Sequence, residues 1–379
     1  MKVLHFLKTP VGARWAFRQI RDLVAIGHDV HVALPAGPLS ADLASVGARI
    51  HEVNVELSLR SPHLNIQRFS LIRDLVKHVS PDVIHSHFVS TTIALRLALG
   101  PRHPVKRIFH VPGPLHLENP LLGRLEVSFS GEADYWLASC EFTRDKYISL
   151  GVSGARVGLV YYGVDYWEFS QLRTGRLRRE FGIEPSSFIV GNVSYFYPPK
   201  LLLGQLYGIK GHEDLLAAIE LLAERCPDIV FLFVGSGFGR GSLRYFNSIK
   251  RRAERLKGAR IIFTGYRSDV GLLYPDIDLA VHPSRSDNVG GAVESLMCMV
   301  PTLCTDIGGF PDLVKPGETG WLCQAGNPED MARQILEIYS LDKQRRQSVR
   351  ENGYQRASRL MDSAANVNAL SLFYEQLIS

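Results

Sequence analysis

The sequence predicts an α/β protein built from two doubly wound domains, each with a parallel sheet. Short apolar runs alternate with helical patterns along the chain, which is typical of parallel strands joined by helices. The length of 379 residues exceeds that of one ordinary domain. It suits two domains of roughly 150 to 200 residues each.

The first half of the chain carries one such alternating series. Helical patterns such as WAFRQIRDLVAIG and LIRDLVKHVS separate runs that are short, apolar and rich in β-branched residues. The predicted strands are KVLHFL, DVHVALP, DVIHSH, KRIFHV, YWLAS and RVGLVYYG.

A charged stretch from about residue 165 to residue 184 has no strand pattern, and it predicts the linker between the domains. A second alternating series follows, with the strands FIVGNVSYF, IVFLFVG, ARIIFTG, DLAVHPS, TLCTD and GWLCQ. Each of its strands ends near glycine or a small polar residue, as in sheets whose ligands approach the strands' carboxyl ends. Residues 196–209, FYPPKLLLGQLYGI, have no clear period and predict an inserted loop.

Composition is that of a soluble globular protein, with 46% hydrophobic and 21% charged residues and no apolar run long enough to span a membrane. The first residues are typical of a strand and not of a signal peptide. Five cysteines without C-x-x-C spacing argue against a disulfide framework and against a zinc site. We therefore expect a cytoplasmic protein.

The net charge of +5 is mild, but basic residues cluster in two places. These clusters are either solvated surface charge or, for the first, a face toward an anionic membrane or acceptor. Nucleic acid is not expected as a partner, because no basic motif interleaved with aromatic residues occurs. The first cluster is Arg96, Arg102, Lys106 and Arg107, and the second is Arg173, Arg176, Arg178 and Arg179.

The segment FVGSGFGRGS, residues 233–242, follows a strand but fails the dinucleotide fingerprint. Gly235 and Gly237 begin the pattern, Arg240 stands where the third glycine belongs, and no acid follows at a second strand end. A glycine turn close to another phosphate ligand is the better interpretation.

Several polar residues at strand ends admit two interpretations. His85 and His87 share one face and could ligate a metal, but no third ligand has suitable spacing, so a polar cleft wall is favoured. Asp276 and Asp278 likewise could hold a divalent ion. His110 ends KRIFHV, where a loop would face a crevice between the domains, and a structural histidine is its alternative.

Lys210 lies directly before a helix, so its ammonium and the helix dipole could meet one phosphate. Further along, HPSRSDNVGGAVESLMC places Asp287 and Glu294 around a glycine pair at a predicted helix start. Plain surface or capping roles are the alternatives for all three residues.

The chain as a whole resembles the retaining glycosyltransferases of family 4, whose GT-B fold has two Rossmann-like domains facing across a cleft. The resemblance rests on the order and spacing of several segments. They are DVIHSH, ADYWLASCEFTRDKYISLGV, GVDYWEF, IKGHEDLLAAIELL, FLFVGSGF, IIFTGYRSDVGLLYPDIDLAVHPS, GGAVESLMCMVPTLCTDIGGFPDLV and GETGWLCQAGNPEDMARQI.

This resemblance implies transfer of a sugar from a UDP- or GDP-type nucleotide sugar to a glycan or lipid-linked acceptor. It implies retention at the anomeric carbon, no metal and no cofactor, in the synthesis of a bacterial surface polysaccharide or glycolipid. It assigns residues 1–170, with 365–379 crossing back, to the acceptor domain and residues 171–364 to the nucleotide-sugar domain. A sugar-nucleotide epimerase of the same fold and a catalytically silent nucleotide-sugar binding protein stay open as alternatives.

The resemblance also implies site residues. The catalytic set is His110 at the reacting centre, Lys210 at the diphosphate, Asp287 at the sugar and Glu294 at the ribose. We expect donor contacts from Gly12, Ser194, Tyr195, Gly235, Gly237, Tyr266, Arg267, Asn288, Val289, Gly290 and Gly291.

Four positions depart from the family pattern. Ser286 stands at the first motif glutamate, so the nearest acid, Asp287, is one residue closer to Glu294. Tyr195 replaces a phosphate-binding arginine, and Tyr162 replaces a common asparagine. The amino-terminal glycine-rich loop is reduced to TPVGARW.

Overall fold

The computed structural model describes residues 1–57, 62–200, 204–239 and 241–379, which form two compact units. The first unit is Met1–Val164 with Met361–Ser379, and the second is Asp165–Leu360. Arg240 of the glycine-rich segment and residues 201–203 of the predicted inserted loop lie outside the described residues.

The first unit is a parallel sheet with helices on both faces. Its strands are β1 (Lys2–Phe6), β2 (Asp29–Leu34), β3 (Arg49–Glu52), β4 (Val83–Ser86), β5 (Lys106–Val111), β6 (Asp134–Ala138) and β7 (Val157–Leu159). They lie in the order β3-β2-β1-β4-β5-β6-β7. The strands remain parallel, but successive strands are added on one side of β1 up to β3 and on its other side from β4 onward, as in doubly wound folds. Its helices are α1 (Arg14–Ala25), α2 (Pro38–Ser45), α3 (His63–Val79), α4 (Val89–Leu99), α5 (Pro120–Ser128), α6 (Glu141–Ser149) and, from the chain's end, α15 (Ser363–Ile378).

Apolar residues cover both faces of this sheet. Helix α1 buries Ala16, Ile20 and Leu23, whose spacing places them on one face of the helix. They belong to a core that also includes Leu370 of α15. The opposite face packs against α3 and α4 through residues such as Ile72. Burial on both sides explains why these strands are continuous apolar runs.

The second unit has the same layered build. Its strands are β8 (Phe188–Val193), β9 (Ile229–Val234), β10 (Arg260–Gly265), β11 (Leu279–His282), β12 (Thr302–Thr305) and β13 (Trp321–Cys323), paired in parallel in the order β10-β9-β8-β11-β12-β13. Its helices are α7 (Arg176–Phe181), α8 (His212–Leu222), α9 (Ser242–Ala253), α10 (Val270–Leu273), α11 (Gly290–Met297), α12 (Phe310–Leu313), α13 (Pro328–Ser340) and α14 (Lys343–Leu360). The prediction of two Rossmann-like parallel-sheet domains is confirmed.

The units divide a few residues before the positions expected from sequence, 170/171 and 364/365. The Val164 amide donates to the Met361 carbonyl at 2.8 Å, which ties the two crossing segments together. Phe169 packs in a core of the second unit, and Asp362 caps α15 by accepting from the Ala365 amide at 2.7 Å. The division at 164/165 and 360/361 follows from these contacts.

The predicted linker, 165–184, is a packed part of the second unit. Asp276 accepts hydrogen bonds from the backbone amides of Thr174, Gly175 and Leu177. Asp278 forms ion pairs with Arg173 and Arg178 at 2.7 and 3.0 Å. Both carboxylates therefore fasten α7 to the sheet, and the divalent-ion interpretation of Asp276 and Asp278 is wrong.

Two residues of the first basic cluster, Arg96 and Arg107, are buried, whereas Arg102 is exposed. Arg96 and Arg107 are each 3% exposed. Arg96 pairs with the buried Glu126 and with Asp134, and Arg107 pairs with Asp134 at 2.6 Å. These guanidinium groups neutralise carboxylates inside the fold, so the expectation that they face a membrane or an acceptor is wrong.

The structure contains no transmembrane candidate: none of the described helices combines the length and the apolar character that crossing a bilayer requires.

Candidate functional site

Most of the predicted donor residues lie where strands of the second unit end. Three loops follow β8, β11 and β12, and backbone hydrogen bonds hold them together. The Arg285 amide donates to the Ile209 carbonyl at 2.8 Å, and the Gly309 amide donates to the Asn288 carbonyl at 3.1 Å. The carboxyl edge of this sheet therefore carries one continuous group of loops.

Two glycines allow these loops to meet. A Cβ on Gly211 would lie 1.7 Å from the Pro283 carbonyl oxygen, and one on Gly308 would lie 1.9 Å from the Asp287 carbonyl oxygen. Both also have positive φ, +66° and +54°, which side chains beyond glycine rarely adopt. The glycines thus bring the neighbouring segments, including Lys210, up to Asp287.

Lys210 and Asp287 form an ion pair, with Nζ 2.5 Å from Oδ2. Asp287 also accepts from the Ser284 hydroxyl at 2.8 Å and from the Asn288 amide at 3.0 Å. Burial alone would raise the pKa of Asp287, but the Lys210 ammonium and these hydrogen bonds hold it below the ordinary value. The carboxylate is charged, and its oxygens are shared between Lys210 and its own loop.

Helix α11 begins beside this pair. Gly291 packs against the buried His282 ring, where a Cβ would lie 2.8 Å from Nδ1, and His282 Nε2 is 3.0 Å from the Ser295 hydroxyl. Val289, at the N-cap, offers no side-chain oxygen to the first amides of the helix. Glu294 lies one turn in, on an exposed position of α11. A helix start next to an ammonium is a favourable place for an anion.

An exposed aromatic group borders this site. The ring centroid of Tyr195 lies 5.0 Å from that of Phe238 and 6.4 Å from that of Tyr266. The three residues are 38%, 49% and 62% exposed. Burial, Tyr266 and Glu294 together raise the pKa of Tyr195, which places the aromatic group near the carboxylate of α11. Flat exposed rings at a strand edge can stack on a planar ligand.

The remaining predicted donor residues of this unit have partners within the fold. Ser194 donates to Asn192 at 3.0 Å and lies 2.9 Å from His212 Nε2. The Gly235 amide donates to the Gly265 carbonyl at 2.9 Å, and Gly237 forms an isolated β-bridge with Phe196. Arg267 forms ion pairs with Asp269 and Glu180.

His110, the predicted site residue of the first unit, is fully buried at the end of β5. Its Nε2 is 2.9 Å from the Val160 carbonyl, so Nε2 carries the proton, and its Nδ1 is 3.4 Å from the Gln19 amide nitrogen. Burial lowers the pKa of His110 to about 3. The Tyr162 ring stacks on it at 4.0 Å. Both ring nitrogens thus have contacts inside this unit, and Gly12 lies in the turn before α1 with φ +68°.

The first unit also contains a histidine that the sequence analysis missed. His5 pairs in register with His85 across β1 and β4, which brings His5, His85 and His87 together. The Tyr162 hydroxyl donates to the His110 carbonyl, so His87 Nδ1–H donates to Tyr162 and His87 Nε2 accepts from His5 Nδ1–H at 3.0 Å. The signal was the parallel register of these strands, which spacing along the chain does not show.

Comparison with known proteins identifies the family. Residues 12–167 match the model "Glycosyltransferase Family 4", and residues 198–356 match "Glycosyl transferases group 1". The N-acetyl-alpha-D-glucosaminyl L-malate synthase of Bacillus anthracis is 23% identical over 347 residues, 88% of this chain and 87% of that protein. A D-inositol 3-phosphate glycosyltransferase of Mycobacterium sp. (strain KMS) is 28% identical over 227 residues, 59% of this chain and 48% of that protein.

Among solved structures, HepE of Anabaena in complex with UDP superposes with a TM-score of 0.81 at 20% identity, covering 99% of this chain and 100% of that one. This similarity shows the fold. The two family matches together take in most of the chain, and the chain belongs to the family 4 glycosyltransferases with the GT-B fold.

Proposed function

We propose that this glycosyltransferase moves a sugar from a UDP- or GDP-type nucleotide sugar to a glycan or lipid-linked acceptor, with retention and without a metal. The observation that carries the proposal is the ammonium of Lys210 beside the start of α11, within one group of loops. A protein-supplied cation and helix amides at one place can neutralise a leaving diphosphate. Complexes of HepE with UDP and with UDP-glucose support a nucleotide-sugar donor.

Lys210 is the proposed electrostatic partner of the leaving group. In the described structure the Lys210 ammonium contacts Asp287. A bound diphosphate therefore takes the place of the Asp287 carboxylate as the partner of this ammonium. The amides of the Gly290–Gly291 and Gly308–Gly309 turns supply further donors around the same point. Fixed groups of the protein thereby stabilise the negative charge that develops on the diphosphate as its bond to the sugar breaks.

Different neighbouring residues contact the ribose, the sugar and the base of the donor. Glu294 takes the two ribose hydroxyls, which suit one carboxylate, and the Asp287–Asn288 loop takes the sugar hydroxyls. The aromatic group of Tyr195, Phe238 and Tyr266 stacks on the base, because it lies near Glu294. Since Tyr195 replaces an arginine, stacking supplies affinity that an ionic phosphate contact would otherwise supply.

From the first unit, His110 contacts the donor sugar at the reacting centre. Gly12, in the turn before α1, lets the start of this helix approach the ligand. For this contact His110 exchanges one of its present partners, Gln19 being the more weakly held at 3.4 Å. The product belongs to a bacterial surface polysaccharide or glycolipid.

A donor screen tests the proposal. The protein is incubated with labelled UDP-, GDP- and ADP-sugars, and free nucleotide and sugar products are measured with and without EDTA. Release of UDP or GDP with sugar transfer or hydrolysis is expected. Interconversion of the donor sugar would indicate an epimerase, binding without turnover would indicate a silent binding protein, and either result would overturn the proposal.

A further inference from the structure

We infer that Tyr162 is a positioning residue for the proposed transfer reaction: its ring fixes the imidazole of His110 so that Nδ1 stays available as a hydrogen-bond acceptor for a hydroxyl of the donor sugar. The inference rests on the proposed function, which places His110 at the reacting centre. Both residues belong to the first unit, where His110 is fully buried and Tyr162 is 6% exposed. In the sequence, Tyr162 stands out only as the replacement of a common asparagine.

The short segment that follows β7, residues 160–162, holds His110 at three points. The Val160 carbonyl accepts from His110 Nε2–H at 2.9 Å. The Tyr162 ring stacks on the imidazole, with the ring centroids 4.0 Å apart and the planes 14° from parallel. The Tyr162 hydroxyl donates to the His110 carbonyl at 3.1 Å. These contacts together fix the tautomer, the ring plane and the backbone of His110.

Tyr162 is itself held by neighbours from other elements. Its hydroxyl accepts from His87 Nδ1–H at 3.0 Å, and His87 Nε2 in turn accepts from His5 on β1. The Trp15 ring, at the start of α1, lies edge-on to the Tyr162 ring with the centroids 4.5 Å apart. A hydroxyl that donates to one group and accepts from another has a single orientation. The sheet and α1 therefore set the position of the ring that stacks on His110.

These contacts leave Nδ1 as the imidazole nitrogen of His110 that carries a lone pair. Its neighbour, Gln19 Nε2, approaches only to 3.4 Å. Gln19 Oε1 is buried without a hydrogen-bond partner within the described part of the chain. A sugar hydroxyl can displace an amide held this weakly. Burial lowers the pKa of His110 to about 3, so the imidazole is neutral and Nδ1 is an acceptor at neutral pH.

A purely structural role explains less of this geometry. A buried tyrosine needs apolar contact for its ring and a partner for its hydroxyl, and many neighbours could supply them. Here the ring stacks on the His110 imidazole, and the hydroxyl donates to the carbonyl of the same residue. One side chain thus controls both the ring and the backbone of the site histidine, as expected of a supporting residue that orients a catalytic group.

A double-mutant cycle in the full chain tests the inference. Tyr162→Leu removes the stacked ring and should lower kcat for sugar transfer roughly 10- to 100-fold, because a small displacement of a catalytic group is costly. The donor KM should stay within about twofold, since the proposed donor contacts lie mostly in the second unit. With His110→Ala already present, Tyr162→Leu should change the rate less than about twofold, because no imidazole remains to be positioned.

Two further variants separate positioning from lost stability. Tyr162→Phe keeps the stacked ring and should stay within about fivefold of the unmodified protein in kcat. Tyr147→Leu removes another fully buried tyrosine of the first unit and should leave kcat within about twofold. Equal fractional losses from Tyr162→Leu with and without His110 would show a structural role and overturn the inference. A full rate in Tyr162→Leu, or a rate in Tyr162→Phe as low as in Tyr162→Leu, would also overturn it.

Histidine NMR tests the positioning without turnover, so the inference and the proposed function can fail separately. With isotope-labelled histidine, the His110 signals are identified by their absence in His110→Ala, and they should show one Nε2–H tautomer. Tyr162→Leu should give mixed tautomers or broadened signals, and Tyr162→Phe should not. An unchanged single tautomer in Tyr162→Leu would overturn the inference even where transfer is observed. The expected spectra from a protein that transfers no sugar would instead overturn the proposed function.

Discussion

The ion pair between Lys210 and Asp287 determines what each substitution should do. Asp287→Asn removes the charge that competes with a diphosphate for the Lys210 ammonium. One charge-assisted hydrogen bond is worth about 1.5–3 kcal/mol, so we expect nucleoside diphosphate affinity to rise about tenfold while sugar transfer falls. Calorimetric titration measures the affinity. Glu318→Gln, an exposed site with the same charge change, is the control, and a loss of affinity in Asp287→Asn would contradict the competition.

Lys210→Ala should act in the opposite direction. Losing one charge-assisted phosphate contact costs about 2 to 4 kcal/mol in the transition state, which lowers the turnover rate by roughly 30- to 1000-fold. Single-turnover transfer measures this loss. Nearly full activity would remove Lys210 from the leaving-group site and leave the α11 amides as the main support.

Glu294→Ala should weaken binding of the bare nucleoside diphosphate about 30-fold, because the ribose loses its charged acceptor. Glu294→Gln keeps an oxygen acceptor and should lose less. Titration with the nucleoside diphosphate and with its ribose-free base-phosphate analogue separates the ribose contact, and equal losses for both ligands would contradict the assignment.

Individual residues show where sequence reasoning succeeds and where it ends. Lys210 and Asp287, 77 positions apart, were both assigned to the donor, but only folded loops show that they pair with each other. Strand spacing indicated His85 and His87 and missed His5, because the register between β1 and β4 is a tertiary property. Arg96 and Arg107 were expected on the surface because their buried partners, Glu126 and Asp134, lie elsewhere in the chain.

At the scale of elements, Gly211 controls the approach of two loops. Gly211→Ala should cost roughly 1–2 kcal/mol from its left-handed backbone and, in addition, separate Lys210 from the loop after β11, because the new Cβ meets the Pro283 carbonyl. Thermal melting measures the first effect and nucleotide titration the second. Gly182→Ala is the matched control, with φ +56° and nothing within 4 Å of the new Cβ. Equal nucleotide affinity in both variants would contradict the role of Gly211.

Strands and helices were largely predictable, because alternating apolar runs reflect burial on both faces of each sheet. The segment 165–184 was not, since its order comes from Asp276 and Asp278 more than 90 residues later. Residues 196–209 had no period, yet Phe196 is fully buried and stacks on His212 at 3.8 Å. Loops are fixed by such tertiary contacts and not by local patterns.

At the scale of the whole molecule, the two units should respond differently to acid. Desolvation lowers the pKa of seven histidines: His5, His85, His87, His110 and the half-buried His116 in the first unit, and His212 and His282 in the second. The pKa falls to about 3 for His5, His110, His116 and His212 and to about 4 for His282. Unfolded histidine binds a proton near pH 6.5, so stability is complete above that pH and falls as the pH drops toward 3.

Each buried histidine then costs about 1.4 kcal/mol per pH unit below 6.5. Calorimetry between pH 7 and pH 5 should show the first unit melting progressively earlier than the second. Hydrogen exchange assigns the transitions, and equal shifts of both units would contradict the explanation.

Transfer should be insensitive to chelation. In the proposed mechanism, Lys210 and the helix start supply the positive potential that a divalent ion supplies in metal-dependent transferases, so EDTA should leave the initial rate within about twofold. The rate is measured with each nucleotide sugar that proves active. An absolute requirement for magnesium or manganese would contradict the proposed mechanism.

The path of the chain through the two units has a consequence for synthesis. The second unit is one uninterrupted segment, Asp165–Leu360, and it can fold as it leaves the ribosome. The first unit lacks α15 until residues 361–379 have emerged, and Tyr374 of that helix contacts His85 in its core. Of the two units, the one that comes first along the chain is therefore completed last, and until then its core lacks the apolar side chains of α15.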